Sequence, residues 1–136
     1  MDALGFDLVL TKETYTEISA ICAEALRQAK AKALLLVGSD GAVLAKQGFV
    51  EDLDCDSLAA LSAATYASTR EIAILIGERQ FDAFYHQGRS NHVMMVRVGE
   101  GAIMLIVFDG RTTAGMVRLY AQEAAIRLSE IFPGAG

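Results

Sequence analysis

Residues 102–108 read AIMLIVF, an unbroken run of seven apolar side chains. A strand with one face in water alternates apolar and polar residues, whereas a fully apolar strand is typical of a sheet that is covered on both faces. Residues 34–37, LLLV, have the same character. Two such strands belong in the middle of a sheet, with helices packed above and below it. The sequence therefore predicts a three-layer α/β/α sandwich.

The shorter apolar run belongs to a predicted hairpin. Within ALLLVGSDGAVLAKQG, residues 33–48, two β-prone stretches are joined through Gly38-Ser39-Asp40-Gly41. Asp-Gly is a strong hairpin signal because both residues tolerate the left-handed backbone that tight turns require. Short turns of this kind make neighbouring strands antiparallel.

Turns at residues 88–91 and 99–101 separate three further strands. The most polar of the three suits an edge of the predicted five-stranded antiparallel sheet. No Pro or Lys in it blocks pairing with another chain. The three strands are predicted at Asp82–Gln87, His92–Val98 and Ala102–Phe108.

Capping residues and apolar spacings of three and four predict three helices, at about 11–32, at Asp56–Ile76 and from 112 or 113 to about 132. The acidic stretch EDLDCD, residues 51–56, fits the amino end of the second helix, where carboxylates cap free N–H groups. The resulting order is α-β-β-α-β-β-β-α. With no linker or repeat, we expect a single domain over residues 1–136, with its core at about 11–132.

The composition predicts self-association. The chain has 136 residues, and 53% of them are hydrophobic before glycine is counted. The usual share is about 45–50% on a count that includes glycine. Membrane insertion is not expected, because the apolar runs are far shorter than the ~18–20 residues of a spanning helix. The start, MDALGFDLVLTKE, also lacks the basic region of a secretory signal. We therefore expect a homodimer that buries the surplus.

The formal net charge of −5 disfavours binding to nucleic acid, because an acidic domain repels a phosphate backbone. Cys22 and Cys55 are too few for a disulfide scaffold, and they favour a reducing, cytoplasmic setting. Cys22 is predicted to be inert core. Cys55 lies close to a helix amino end, but the carboxylates around it oppose activation of its thiol.

The second predicted helix contains SLAALSAATYAST, residues 57–69, which is apolar or small nearly all the way round. Successive residues of a helix are about 100° apart, so its two faces can be assigned. The arc expected on the sheet holds Leu58, Leu61, Thr65, Thr69, Ile72 and Ile76. The opposite arc holds Ala60, Ala63, Ala67, Arg70, Glu71 and Ile74.

Small residues on that opposite arc permit close approach of another helix. A two-fold axis beside the helix would pack it against its own copy and join the two edge strands. The alternative is that alanine is simply the best helix former, and that the outer arc is solvated. The predicted interface, with a second copy or a further protein, comprises Ala60, Ala63, Ala64, Tyr66, Ala67, Arg70, Glu71, Ile74, Phe84 and His86.

No catalytic, metal or cofactor site is predicted. His86 and His92 flank the turn at 88–91, and in the register that this turn gives, His86 faces Val93. The two imidazoles therefore do not converge, and a zinc site needs three or four ligands. The stretches GSDG and GEG lack the spacing of a P-loop or of a dinucleotide-binding motif.

The chain resembles the Roadblock/dynein light chain family over roughly residues 11–132. The resemblance is carried by ALLLVGSDGAVLAKQG, the Ala-rich helix from residue 57, LIGERQF (75–81) and GEGAIMLIVFDGRTTAGMVRLYAQEA (99–124). Within the family, YHQGRSNHVMMV followed by LIVFDGRTTAGMVRL is similar to bacterial MglB-type regulators.

This resemblance implies a profilin-like Roadblock fold and a homodimer that binds a small Ras-like GTPase and stimulates its GTP hydrolysis, with no catalytic residues of its own. In that type the paired second helices contribute to the GTPase-binding surface. The corresponding residues here are Ala63, Ala67, Arg70, Glu71 and Ile74. Two alternatives stay open: a Roadblock-type scaffold subunit of a motor or tethering complex, and a small-ligand sensor domain.

Overall fold

The computed structural model describes residues 11–131 and contains the eight elements in the predicted order. The helices are close to their predicted bounds, and the edge strand is shorter than predicted. The elements are α1 (Lys12–Ala29), β1 (Ala33–Gly38), β2 (Val43–Gly48), α2 (Cys55–Leu75), β3 (Ala83–His86), β4 (His92–Val98), β5 (Ala102–Phe108) and α3 (Ala114–Ser129).

The five strands form one antiparallel sheet in the order β2-β1-β5-β4-β3. The two fully apolar strands, β1 and β5, are neighbours in its middle, and every residue of β1 is buried. The most polar strand, β3, lies at one edge. The sequence-based placement of the central and edge strands is therefore confirmed.

Helices cover both faces of this sheet, which confirms the three-layer sandwich. Because strand side chains alternate between faces, Leu34 and Leu36 pack with α1 and α3 in the larger core. Leu35 and Val37 point the other way and pack with α2 in a smaller core. Two helices thus cover one face and a single helix covers the other. Within residues 11–131, no helix has both the length and the hydrophobicity that crossing a bilayer demands.

Side-chain caps set the starts of all three helices, as the sequence predicts. Thr11 accepts a hydrogen bond from the Thr14 N–H at the start of α1, and Thr113 accepts one from the Met116 N–H at the start of α3. Asp54 caps α2, which begins one residue earlier than predicted. α1 ends at Ala29, short of the predicted 32, because Lys30 adopts a left-handed backbone with φ 56°. The predicted end of α3 at about 132 lies outside the described residues.

The predicted hairpin between β1 and β2 is present, but its turn differs from a tight Asp-Gly turn. Only Gly41 is left-handed, with φ 88°, while Asp40 accepts a hydrogen bond from the Ala42 N–H. The turn also packs directly on α2, because a Cβ atom at Gly41 would lie 3.3 Å from the Ala60 Cα atom. Gly41 therefore provides both the backbone conformation and the space for the helix.

Two other glycines allow two costs of substitution by alanine to be separated, the steric clash of the added Cβ atom and the left-handed backbone conformation. Gly48 has φ 88°, and a Cβ atom there would lie 2.4 Å from the Lys32 carbonyl oxygen. Gly77 has φ 89° with nothing within 4 Å of the same position. We expect Gly77→Ala to lower the free energy of unfolding by about 1–2 kcal/mol, the cost of a left-handed L-residue. Gly48→Ala should cost clearly more, as measured by urea unfolding. Equal losses would contradict the close packing at Gly48.

Candidate functional site: the second helix and the edge strand

The face of α2 that packs on the sheet is made of small residues. Cys55, Ala59, Ser62 and Ala73 are its buried positions, and their spacing places them on one side of the helix. Ala59 and Cys55 pack in the smaller core against β1 and β5. Small side chains allow the helix axis to lie close to the sheet.

This face differs from the predicted one. Leu61, Ile72 and Ile76 were expected on the sheet, but their side chains are 65%, 54% and 65% exposed. Leu58, Thr65 and Thr69 are only half-buried. The prediction was wrong by a rotation of just under one residue step of about 100°. It assumed that the largest apolar side chains would be buried, whereas the closely packed helix–sheet contact accommodates the smallest ones.

As a result, the outer face of α2 carries large apolar side chains in water. Leu61, Ile72, Ile74, Leu75 and Ile76 are between 52% and 85% exposed. Exposed alanines lie among them, at positions 60, 64 and 67. Single exposed apolar residues are ordinary, whereas a group of this kind, dense at residues 72–76, is typical of a surface that contacts another protein, and it makes the outer face of α2 the candidate site. The signal was available in AILI, residues 73–76, because four consecutive helical residues cannot all face one sheet.

The ten residues predicted for the interface fall into three groups. Two of them, Ala63 and Tyr66, are half-buried between α2 and the sheet, and two more, Phe84 and His86, belong to β3. The other six are exposed on α2: Ala60, Ala64, Ala67, Arg70, Glu71 and Ile74.

Tyr66 connects α2 to the edge strand. Its ring stacks on Phe84 with centroids 6.1 Å apart, and its hydroxyl lies 3.1 Å from the Gln80 side-chain oxygen, to which it donates a hydrogen bond. Half-burial of the phenol raises the pKa of Tyr66. Tyr66 and Phe84, both half-buried, thus connect the helix to the strand, and their predicted place in an interface stays a prediction.

The edge strand β3 has only four residues, against the six predicted. Within the described residues it pairs with β4 alone, so its other side presents unpaired backbone groups. His86 is opposite Val93, as predicted, and its ring lies 6.2 Å from that of Phe84. A short open edge beside an exposed apolar helix face is a geometry that a second chain can complete.

The remaining chemical candidates have structural explanations. His92 accepts a hydrogen bond at Nδ1 from the Gly88 N–H and lies against the rings of Tyr85 and Phe108. Cys22 is fully buried, so its predicted place in the core is confirmed, and this burial raises the pKa of its thiol to about 12. Cys55 is buried in the smaller core. Within residues 11–131, no three His, Cys, Asp or Glu side chains come together as a metal site.

Residues 17–108 match the model of the Roadblock/LC7 domain. That is most of the chain, from α1 through β5, and the chain therefore belongs to the Roadblock/LC7 family. No curated protein sequence matches the chain closely enough to count as a relative.

Solved structures narrow the resemblance to MglB proteins. MglB of Myxococcus xanthus is 35% identical, with a TM-score of 0.84 over 91% of this chain and 93% of that one. The gliding protein MglB of Thermus thermophilus is 32% identical, with a TM-score of 0.86 over 93% and 96%. An MglB described as having a tetrameric arrangement is also 32% identical, with a TM-score of 0.88 over 96% and 98%. Profilin II of Acanthamoeba castellanii, 15% identical with a TM-score of 0.60, shares the fold alone.

The start of α2 provides a test of how this helix is held. The Asp54 carboxylate accepts hydrogen bonds from the Ser57 hydroxyl and N–H, which lower the pKa of Asp54. A carboxyl whose pKa is lower in the folded state stabilises the fold above its ordinary pKa of about 3.9, and this contribution is lost as pH falls through the folded value. We expect Asp54→Ala to lower the melting temperature at pH 7, and the difference from wild type to shrink towards pH 3.

Thermal unfolding followed by circular dichroism at several pH values checks this expectation. Asp56→Ala is the matched control. Asp56 lies in the first turn of α2 but does not cap the helix, because Asp54 is the cap. A difference for Asp54→Ala that stays constant from pH 7 to pH 3 would show that the charge of the cap contributes nothing.

Proposed function

We propose that this Roadblock-family regulator is a cytoplasmic homodimer that binds a small Ras-like GTPase and stimulates its GTP hydrolysis. The observation that carries the proposal is the exposed apolar outer face of α2 next to the open edge of β3. The similarity to MglB proteins over nearly the whole chain supports it.

In the proposed dimer a two-fold axis passes beside α2 and β3. The two β3 edges pair into a continuous sheet, and the two α2 helices pack across the axis. Both protomers therefore use the same surface patch for the contact. Interfaces of this class bury on the order of 800 Å² per partner. Removing Leu61, Leu75 and Ile76 from water would provide most of the hydrophobic contribution, because these side chains are the most exposed of the apolar group on α2.

The paired helices then offer a platform for the GTPase. Arg70 and Glu71 are exposed beside Ala67 and Ile74, so the surface combines apolar contact with charges that set orientation. A platform without catalytic groups can stimulate hydrolysis by binding the active conformation of the GTPase more tightly than the inactive one. Placing the arginine and glutamine of the GTPase itself around the developing charge is worth about 10³–10⁵ in rate.

The decisive experiment is single-turnover hydrolysis of GTP by the cognate Ras-like GTPase, with and without this protein. We expect the hydrolysis rate to rise with protein concentration and to saturate at two chains per GTPase. Binding without any change in rate would exclude stimulation and leave the role of a scaffold subunit.

Substitution on the outer face of α2 tests the surface itself. Ala67→Arg puts a long charged side chain where the proposed contact is closest, and we expect the Kd for dimerisation or for GTPase binding to rise at least tenfold, about 1.4 kcal/mol. The helical signal in circular dichroism should stay unchanged, because Ala67 is exposed in the single chain.

Ala20→Arg is the matched control, since Ala20 is an exposed alanine of α1, on the opposite face of the sheet. Mass from light scattering and affinity for the GTPase should be those of the wild type for this variant. If Ala67→Arg also left both quantities unchanged, α2 would not be the contact surface.

A further inference from the structure

The sheet face opposite α2 has a groove beside the edge strand. α1 packs on β2 and β1 and α3 packs on β4 and β5, so among the described elements no helix covers β3 on this face. Two open cavities of about 470 and 270 Å³ follow one another along α3, between this helix and strands β3 and β4. Residues from both sides line them, among them Ala83, Tyr85, Gly115, Arg118, Gln122 and Ile126.

The end of this groove beside β3 is mainly apolar, whereas the end near Asp82 and Arg97 combines polar and apolar side chains. Ile126 lines the groove from α3 and is 65% exposed. Tyr85 is 39% exposed on the β3 side and stacks on Phe108. Gly115 has no side chain, which leaves room between α3 and strand β3. The β3 end of the groove therefore suits the apolar side chains of a partner, and Arg118 lies directly beside it.

The two arginines of the groove differ in whether they already have a partner within the chain. Arg97 is already engaged, because it donates hydrogen bonds to the Asp82 carboxylate at 2.9 Å and to the Gly99 carbonyl at 2.8 Å. Arg118 has no ion pair or hydrogen bond with the residues that the structure describes. An unpaired arginine beside an apolar groove, in a chain of formal charge −5, is complementary to a carboxylate.

The proposed dimer would join two such grooves. If the two β3 strands pair, both grooves share one floor, and α3 and its copy form the two walls. Three to four strand spacings of about 4.8 Å would then separate the helices, or roughly 14–19 Å. Packed helices lie about 8–10 Å apart. One helix therefore fits between the walls in contact with both, and two helices do not fit.

From this geometry we infer that the joined groove, called the trough below, binds one amphipathic helix of a partner protein per dimer. The helix has an apolar stripe facing β3 and its copy, with acidic residues on both flanks that reach Arg118 of the two protomers. An extended segment is a poorer fit, because the β3 edges with which it would pair are used by the dimer. The inference rests on the proposed dimer but not on the stimulation of GTP hydrolysis.

A displayed library of 20-residue helical peptides tests the trough. Stripe positions at spacings of three and four vary among Leu, Ile, Met and Phe, and flanking positions vary among Glu, Lys and Gln. We expect selection on the wild-type protein to enrich Glu at the flanks. By native mass spectrometry the best peptide should bind once per two chains, and by fluorescence anisotropy Arg118→Glu should weaken its binding at least tenfold.

Arg127→Glu is the matched control, because Arg127 is also an exposed arginine of α3 but lines a cavity towards α1. Binding should change less than twofold in this variant. Enrichment of Lys, two peptides per dimer, equal effects of the two substitutions, or no enriched peptide would each overturn the inference.

The oligomeric state, obtained from the mass of the protein in the same samples, distinguishes a failure of the trough from a failure of the proposed function. A dimer that binds the peptide but does not change GTP hydrolysis would retain the trough and remove the stimulation. A dimer that stimulates hydrolysis but binds no peptide through Arg118 would retain the stimulation and remove the trough. A chain that is monomeric at all concentrations would remove the trough, because each groove would then have a single wall.

Discussion

The need to shield both faces of two adjacent, fully apolar strands governs this structure. β1 and β5 lie side by side in the middle of the sheet and are buried on both faces. Residues 11–131 provide three helices for this task, and three helices cannot be shared equally between two faces. α1 and α3 build the larger core and α2 alone closes the smaller one. The unequal division leaves β3 without a helix above it on one face.

The surfaces available for partners follow from the same division. A single helix that has to cover the centre of a sheet lies close to it, and the closely packed contact selects Ala59, Ser62 and Ala73. The large side chains of α2 are then displaced outwards, where Leu75 is 85% exposed. On the other face, α3 leaves Ile126 beside an open groove. Neither surface is needed to complete the core of the single chain, so both are free for other proteins.

Most of the fold could be predicted because it depends on local rules. Unbroken apolar runs identified the central strands, and hydroxyl and carboxylate caps identified the helix starts at Thr11 and Thr113. The orientation of α2 could not be obtained in this way. Its residues are apolar or small all round, so hydrophobicity does not distinguish the two faces. Only the packed structure shows that Ala59 rather than Leu61 is buried.

The groove beside α3 was not foreseen for a related reason. Its walls combine residues distant in sequence, such as Tyr85 and Gly115, and no periodicity in either segment indicates an unoccupied position above β3. A candidate surface on α2 could be proposed from the sequence because it lies within one helix, although Leu61 and Ile72 were placed on the wrong face. The groove becomes visible only when strand order and helix placement are both known.

The smaller core has a consequence for the motions of the molecule. α2 is held to the sheet by few and mostly small buried side chains, with the Tyr66–Phe84 stack as its main aromatic contact. In native proteins the elements with the least buried apolar surface open first in local unfolding. The backbone amides of α2 would then exchange with solvent sooner than those of α1 and α3. A partner bound to α2 would slow that exchange. Its binding would therefore be detected as increased protection of the α2 amides, in the least stable layer of the sandwich.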